Sequence, residues 1–221
     1  RGARTRRRHR SPLRLVSGIA EESSDVELLR RQVEYLRALV HTDELTGLSN
    51  LRHFNETLGL ELERTRRTAQ PTCLVLMDLD HFKEVNDAYG HEIGNSVLCH
   101  FAELIRRAIR RLDTPCRYGG DEFAIILPGT GLEQGIALAE RLRSLIQRSP
   151  FEMGSIRVQI GASMGVGVYE AEADALGERE FIEGVDRLLY QSKRKEPGRI
   201  CHPAASTANR CNMAAVAPQI R

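Results

Sequence analysis

The sequence predicts an α/β fold in which helices pack against a mixed or antiparallel sheet, with a coiled-coil-like helix in front of it. Three observations carry this. An apolar run, Cys73 to Met77, has the length and composition of a buried strand. The segment Val97 to Ile109 carries Val97, Leu98, Phe101, Leu104, Ile105 and Ala108 at helical spacing. Between Cys116 and Leu127, two short strand-like stretches flank Gly119 and Gly120, the composition of a tight hairpin. Strands interleaved with helices around one such hairpin read as a ferredoxin-like sandwich.

Taken from the amino terminus, residues 1 to 22 are polar, basic and unpatterned, which reads as a disordered arm. Arg1, Arg4, Arg6, Arg7, Arg8 and Arg10 crowd its start. Such a run fits a nucleic-acid or membrane surface and equally a solvated tail. With no aromatic interleaving and no recognition module, the tail is expected, and neither nucleic acid nor membrane is assigned as a partner. Over residues 23 to 42, Val26, Leu29, Val33, Leu36 and Val40 form one helical stripe, about two heptads of a coiled-coil seam. A signalling helix that pairs two chains and a helix packed on its own domain both satisfy that stripe.

The body of the fold is expected over residues 43 to 201. It comprises a strand at Cys73 to Met77, the helix at Val97 to Ile109, and hairpin strands at Cys116 to Tyr118 and Phe123 to Leu127. A helix from Leu132 to about Gln147, a strand from Ile156 to Val168 and a helix from Phe181 to Lys193 complete it. Residues 202 to 221 are small and polar and read as a disordered tail.

At 221 residues there is room for one ordinary domain with arms. The 41% hydrophobic and 28% charged shares suit a soluble globular protein, and no apolar run approaches the ~18 residues of a membrane span. No apolar core follows the basic start, so no secretory signal is read and a cytoplasmic setting is expected. An upstream region not in this chain could still tether it. The five cysteines, Cys73, Cys99, Cys116, Cys201 and Cys211, show no CxxC pair and read as reduced thiols.

Carboxylates gather at two places. Asp78 and Asp80 follow the apolar strand, and Asp121 and Glu122 follow the double glycine of the hairpin. If the two strands are neighbours, Asp78, Asp121 and Glu122 converge. Magnesium is bound through such carboxylates together with substrate phosphate oxygens. Gly119 and Gly120, lacking Cβ, allow a phosphate chain close to the backbone. Read by themselves, the same residues also fit a surface turn.

The full string from Arg117 to Phe123, RYGGDEF, is identified as the signature of the GGDEF diguanylate cyclase family. Asp43 to Asn50, DELTGLSN, resembles that family's opening motif, and Asp78 to His91, DLDHFKEVNDAYGH, its metal and nucleotide segment. Ala162 to Gly167, ASMGVG, is similar to its SIGV strand. The resemblance covers Asp43 to about Arg199 and implies a nucleotidyl-cyclase-type fold in a bacterial second-messenger enzyme. Two GTP-bound domains would face each other as a homodimer, each GTP 3′-hydroxyl attacking the α-phosphate of the other, to yield cyclic di-GMP and pyrophosphate. Two Mg2+ ions per site are implied, with Mn2+ as an alternative.

The resemblance also implies roles. Asp78, the Leu79 carbonyl, Asp121 and Glu122 would hold metal, with Asp121 helping to deprotonate the hydroxyl. Lys83 would steady phosphates. His81, Phe82, Asn86, Leu98, Gly119 and Gly120 would contact substrate, with Asn86 reading guanine. Where the family has an Asp as second guanine reader, this chain has Asn95. An amide has one acceptor oxygen where a carboxylate has two, so weaker guanine preference and mixed purine products are expected. Lys193 matches a phosphate-binding Lys, but Pro197 stands at the spacing of the family's following Arg, and Arg199 comes two residues late. A weakly active domain that binds GTP or cyclic di-GMP is therefore the alternative to an active cyclase. Arg110 and Asp113 form an RxxD string at the spacing of the family's inhibitory product site. Arg141 resembles a further arginine of that site, and Arg64 could reach it from a partner.

Overall fold

The computed structural model describes residues 40–171, 176–195 and 198–203, together with Glu27, Leu28, Arg30 and Gln32. The chain divides into two compact units, the first ending at Val40 and the second beginning at His41. In the first, Glu27, Leu28, Arg30, Gln32 and Val40 are helical. Val26, Leu29, Val33 and Leu36 of the expected seam lie outside the described residues, as do the basic arm, Pro197, Cys211 and the tail beyond residue 203.

The second unit runs α1 (Leu51–Thr68), β1 (Thr72–Asp80), α2 (Phe82–Tyr89), α3 (His91–Ala108), β2 (Thr114–Arg117) and β3 (Glu122–Pro128). It continues α4 (Leu132–Arg148), β4 (Phe151–Met153), β5 (Ile156–Val158), β6 (Gly161–Tyr169), α5 (Glu178–Lys195) and β7 (Ile200–Cys201). The main sheet has the order β2-β3-β1-β6-β7. The β2/β3, β3/β1 and β1/β6 pairs are antiparallel and β6/β7 is parallel, so the sheet is mixed. Strands β4 and β5 form a separate ribbon. The chain order β1, helices, β2, β3, α4, β6 laid out spatially as β2-β3-β1-β6 is the expected ferredoxin-like arrangement.

Three differences from the pattern reading have physical reasons. The strand expected over Ile156 to Val168 is two strands, because Val158 pairs with Phe151 of β4 whereas Gly161 onward pairs with β1. Alternation of side chains continues through Gln159 and Ile160, but the partner changes. Helix α1 has no counterpart in that reading, since its inward residues Phe54, Leu58, Leu62 and Thr65 are scattered through a charged segment. Asn50 starts it, its side chain accepting from the His53 N–H at 3.1 Å. Helix α2 is short and buries no residue fully.

Strand β1 is buried on both faces, which explains its unbroken apolar run. Cys73, Val75, Met77 and Leu79 join α3 and α4 in one core, around Phe101, Phe123 and Leu142. Leu74 and Leu76 join α1 and α5 in the other, around Phe54, Leu58, Phe181 and Val185. Period-two alternation puts Asp78 and Asp80 on the side of Leu74 and Leu76, the side covered by α5. Cys73 and Cys116 are enclosed here, and burial pushes both thiols up to about 12, as inert core groups.

Helix α5 lies close on β6. A Cβ added at Gly165 would stand 2.5 Å from the Val185 carbonyl oxygen and 2.6 Å from the Leu189 nitrogen. Both are backbone atoms and cannot rotate away. Gly165→Ala is therefore expected to cost about 1–3 kcal/mol by overpacking, lowering the melting temperature by roughly 2–10 °C for a chain of this size. Gly120→Ala, where nothing lies within 4 Å, is the control and should melt with the parent in the same thermal scan.

Candidate metal and nucleotide site

The register of β1 against β3 brings the acids together. Asp78 is the cross-strand partner of Glu122, and directly opposed residues in an antiparallel pair point to the same face. Just before β3, the Asp121 carbonyl accepts from the Leu79 N–H at 3.2 Å. Asp78 and Glu122 thus occupy one end of the sheet on the α5 side, and the Asp121 charge acts on both. Asp78 is only 7% exposed. Burial pushes its carboxyl up; the Lys193 hydrogen bond and charge oppose this, Asp121 and Asp80 reinforce it, and the net direction is upward. The Glu122 carboxyl is likewise raised, by burial and then by the Asp78 charge.

Helix α5 supplies the counter-charge. Lys193 Nζ stands 2.5 Å from Asp78 Oδ2, with the lysine still 41% exposed. Asp186, seven residues earlier and so on the same helical face, adds negative charge toward Glu122 and Tyr118. Sequence reading missed Asp186; its spacing from Lys193 was the available signal. Three carboxylates with one ammonium leave an excess of hard oxygen donors, the donor set that a divalent cation such as Mg2+ takes.

The glycine turn is held from outside. Tyr118 and Gly119 N–H groups both donate to the Glu122 carbonyl, at 2.8 and 3.1 Å. Neither Gly119 nor Gly120 has a positive φ. A Cβ at Gly119 would stand 2.5 Å from Glu122 Oε2 and would displace that carboxylate, whereas the space beside Gly120 is open. Arg117 clamps the turn, its Nη2 donating to the Gly120 carbonyl at 2.8 Å and its Nη1 pairing with Asp43 at 3.3 Å. Burial pushes the Asp43 carboxyl up, and hydrogen bonds from Thr46 with the Arg117 charge outweigh it, holding Asp43 below the usual range. This ion pair ties the DELTGLSN segment to the RYGGDEF turn.

The other candidate ligand residues surround the same strand end or branch from it. His81, with φ 58°, turns the chain off β1 into α2 and its Nδ1 meets Glu84 Oε1 at 2.8 Å. Phe82 is half-buried and Lys83 is exposed on the first turn of α2. Asn86 lies against Gly94 of α3, where a Cβ would collide with its side-chain oxygen. Asn95 is exposed on the next position and Leu98 is buried one turn further. A cleft of about 270 Å³ beside α2 touches His81 and Phe82 but none of Asp78, Asp121 and Glu122. Ser163, across β1 from Asp78, donates to Asp80 Oδ1 at 2.6 Å and accepts from the Gly198 N–H at 3.3 Å. The Arg199 carbonyl accepts from Met164 N–H at 2.9 Å, so the displaced Gly-Arg pair still reaches the acid end of the sheet.

The RxxD residues lie elsewhere. The Arg110 N–H donates to Asp113 Oδ2 at 2.7 Å and the Asp113 N–H to the Arg110 carbonyl at 3.1 Å, closing a turn after α3. Arg141 on α4 donates to the Ala108 carbonyl at 2.5 Å, beside that turn. Arg64 is on α1, paired with Glu61 at 3.6 Å. Since α1 and α3–α4 cover opposite faces of the sheet, one chain does not bring Arg64 to Arg110, Asp113 and Arg141.

Comparison with known proteins agrees with this architecture. Residues 40–199 match the model described as diguanylate cyclase, GGDEF domain. The chain is 33% identical over 179 residues to the response regulator PleD of Caulobacter vibrioides, covering 81% of this chain and 39% of PleD. It is 36% identical over 186 residues to the diguanylate cyclase DgcP of Pseudomonas aeruginosa, covering 84% of this chain and 27% of DgcP. It therefore spans well under half the length of these relatives. The coiled coil and GGDEF domain of DgcB from Caulobacter crescentus, solved in complex with c-di-GMP, superposes with a TM-score of 0.75 at 28% identity, over 86% of this chain and 99% of that one. Diguanylate cyclase SiaD from Pseudomonas aeruginosa, solved with its activator SiaC, gives 0.74 at 30% identity, over 86% and 73%. No helix among the described residues is long and apolar enough to cross a membrane. With the signature turn, the acid end of the sheet and these likenesses together, the chain belongs to the GGDEF-domain diguanylate cyclase family.

Proposed function

We propose that the chain condenses two GTP molecules into cyclic di-GMP, as one half of a homodimer whose two active sites face each other. The observation that carries this is the pairing of Asp78 with Glu122 across β1 and β3, with Asp121 beside them. That arrangement supplies several carboxylate oxygens on one face, close to an open glycine turn.

Each of two equivalent steps forms a bond between a ribose 3′-oxygen and an α-phosphorus, and breaks that phosphorus's bond to the departing pyrophosphate. Asp121 would take the hydroxyl proton. Asp78, the Leu79 carbonyl, Asp121 and Glu122 would hold divalent metal, which would supply charge neutralisation at the phosphate oxygens. The raised Asp78 and Glu122 carboxyls fit such a role, since crowded carboxylates are stabilised by a cation. Lys193 now neutralises Asp78. With a cation there, its ammonium becomes available to phosphate oxygens, alongside Lys83 and Arg199. Gly119 and Gly120 leave the backbone accessible, His81, Phe82 and Leu98 would contact substrate, and Asn86 and Asn95 would read the base.

Mass identification of the product from GTP with Mg2+ tests the reading. Cyclic di-GMP is the expected product, and Asp78→Asn or Asp121→Asn should each lower its rate by about a hundredfold or more while the melting temperature stays near that of the parent. Full activity in either variant would refute the assigned site.

A second feature of this reading concerns the base. Asn95 is exposed at the start of α3 beside Gly94, against which Asn86 packs. An amide there offers guanine a single acceptor, so ATP competes better than it would against a carboxylate. In a GTP and ATP competition assay, Asn95→Asp should improve rejection of ATP by about 1–3 kcal/mol; unchanged discrimination removes the idea.

Arg110, Asp113 and Arg141, with Arg64 from a partner, are proposed to bind product and slow the enzyme. Guanidinium groups take phosphate and guanine edges, and Asp113 accepts guanine N–H groups. Arg110→Ala is expected to raise the concentration of cyclic di-GMP needed for half-inhibition about tenfold, with the uninhibited rate retained; inhibition at the parent concentration would exclude the site.

A further inference from the structure

We propose that His41, His53 and Glu56 form a second metal site, distinct from the acid centre, which takes Zn2+ or a similar borderline ion and clips the opening segment of the catalytic unit to α1. The three side chains offer ligand atoms all within 4.8 Å of one another. His41 Nε2 meets Glu56 Oε2 at 3.2 Å. The two imidazoles stack with ring centroids 4.7 Å apart and planes inclined by 23°.

The cluster is built by the local fold. His53 and Glu56, three residues apart on the first turns of α1, share one face of the helix. His41 is brought to them through Asn50. The Asn50 N–H donates to the His41 carbonyl at 2.9 Å, its side-chain amide donates to the Thr42 carbonyl at 3.4 Å, and its side-chain oxygen accepts from the His53 N–H at 3.1 Å. A bridge between Thr42 and Ser49 closes the same loop. The positions of the ligands are therefore set by backbone contacts that do not involve the ligand atoms themselves.

Three features of the chemistry point to a metal. Two imidazoles with one carboxylate are a known zinc ligand set that leaves a fourth position for water. Tetrahedral ligands about 2.0–2.2 Å from an ion stand roughly 3.3–3.6 Å apart; His41 Nε2 and Glu56 Oε2 already stand 3.2 Å apart, so closure comes at His53, with one imidazole turning out of the stack so that both in-plane lone pairs meet the ion. His53 Nδ1 is buried and lacks a hydrogen-bond partner among the described residues, and such a group is costly to leave unsatisfied.

The donor types separate the two sites. Asp78, Asp121 and Glu122 offer oxygen alone and suit Mg2+, which an imidazole pair does not attract. The clipped segment also carries Asp43, whose carboxylate holds Arg117 and through it the Gly120 carbonyl. A metal on His41 would thus brace the loop that clamps the signature turn.

The test is a Zn2+ titration of the full chain by calorimetry in excess Mg2+, paired with thermal melts and with Co2+ as a visible-absorbing substitute. One Zn2+ per chain is expected, with binding weakened at least tenfold in both His53→Ala and Glu56→Gln. Zn2+ should raise the melting temperature of the parent and not of the variants, and Co2+ bound to the parent should show d–d absorption that His53→Ala loses. Glu56→Gln alters an exposed residue and should melt with the parent in chelator, so it carries the test if His53→Ala misfolds. Equal Zn2+ affinity in parent and Glu56→Gln, or no binding heat above the buffer control, would overturn the site. None of these readouts needs turnover, so the outcome is independent of the cyclase reading.

Discussion

The antiparallel register of β1 against β3 is the constraint from which the site follows. Because Asp78 stands opposite Glu122, carboxylates separated by more than forty residues of chain share one face and one end of the sheet. A shift of one residue would turn Asp78 away from Glu122. The hydrophobic pattern prevents that shift, since Leu74 and Leu76 must face α1 and α5 while Val75 and Met77 face α3 and α4. The core therefore holds together a group of like charges, and the Asp78 and Glu122 carboxyls are raised first by their burial and then by the neighbouring carboxylates.

Two devices make the confinement tolerable. Glycines on β6 let α5 approach the sheet at backbone contact, which carries Lys193 to Asp78. Arg117 grips the Gly120 carbonyl from one side and Asp43 from the other, so the turn bearing Asp121 and Glu122 is held by the segment that precedes α1. Both devices join parts of the chain that are distant in sequence. The sheet also separates functions, because the acids lie on the α1–α5 side while the RxxD turn and Arg141 are carried by the α3–α4 layer. The acids and the RxxD turn of one chain are therefore separated by the sheet.

Much of this was legible before any coordinates. Strand β1 showed as an apolar run because it is buried on both faces, and the β2–β3 hairpin showed because Gly119 and Gly120 punctuate it. The acids Asp78, Asp121 and Glu122 were identifiable from their place beside those elements and from the RYGGDEF string. Helix α1 was not legible, as its four inward residues are diluted by charge. The division of β5 from β6 was hidden because alternation runs through it. Asp186 was marked only by its spacing from Lys193, and the Arg117 to Asp43 pair and the meeting of His41 with His53 and Glu56 were out of reach, each joining separate segments of the chain.

Local order thus comes directly from the residues: periodicity writes the strands and helices, and the motif names the acids and the turn. Which acids meet, which lysine answers them and which histidines face one another depend on sheet order and helix seating. Those follow from many simultaneous packing contacts between distant segments, and pairwise proximity of that kind leaves no mark in the linear pattern of a single chain.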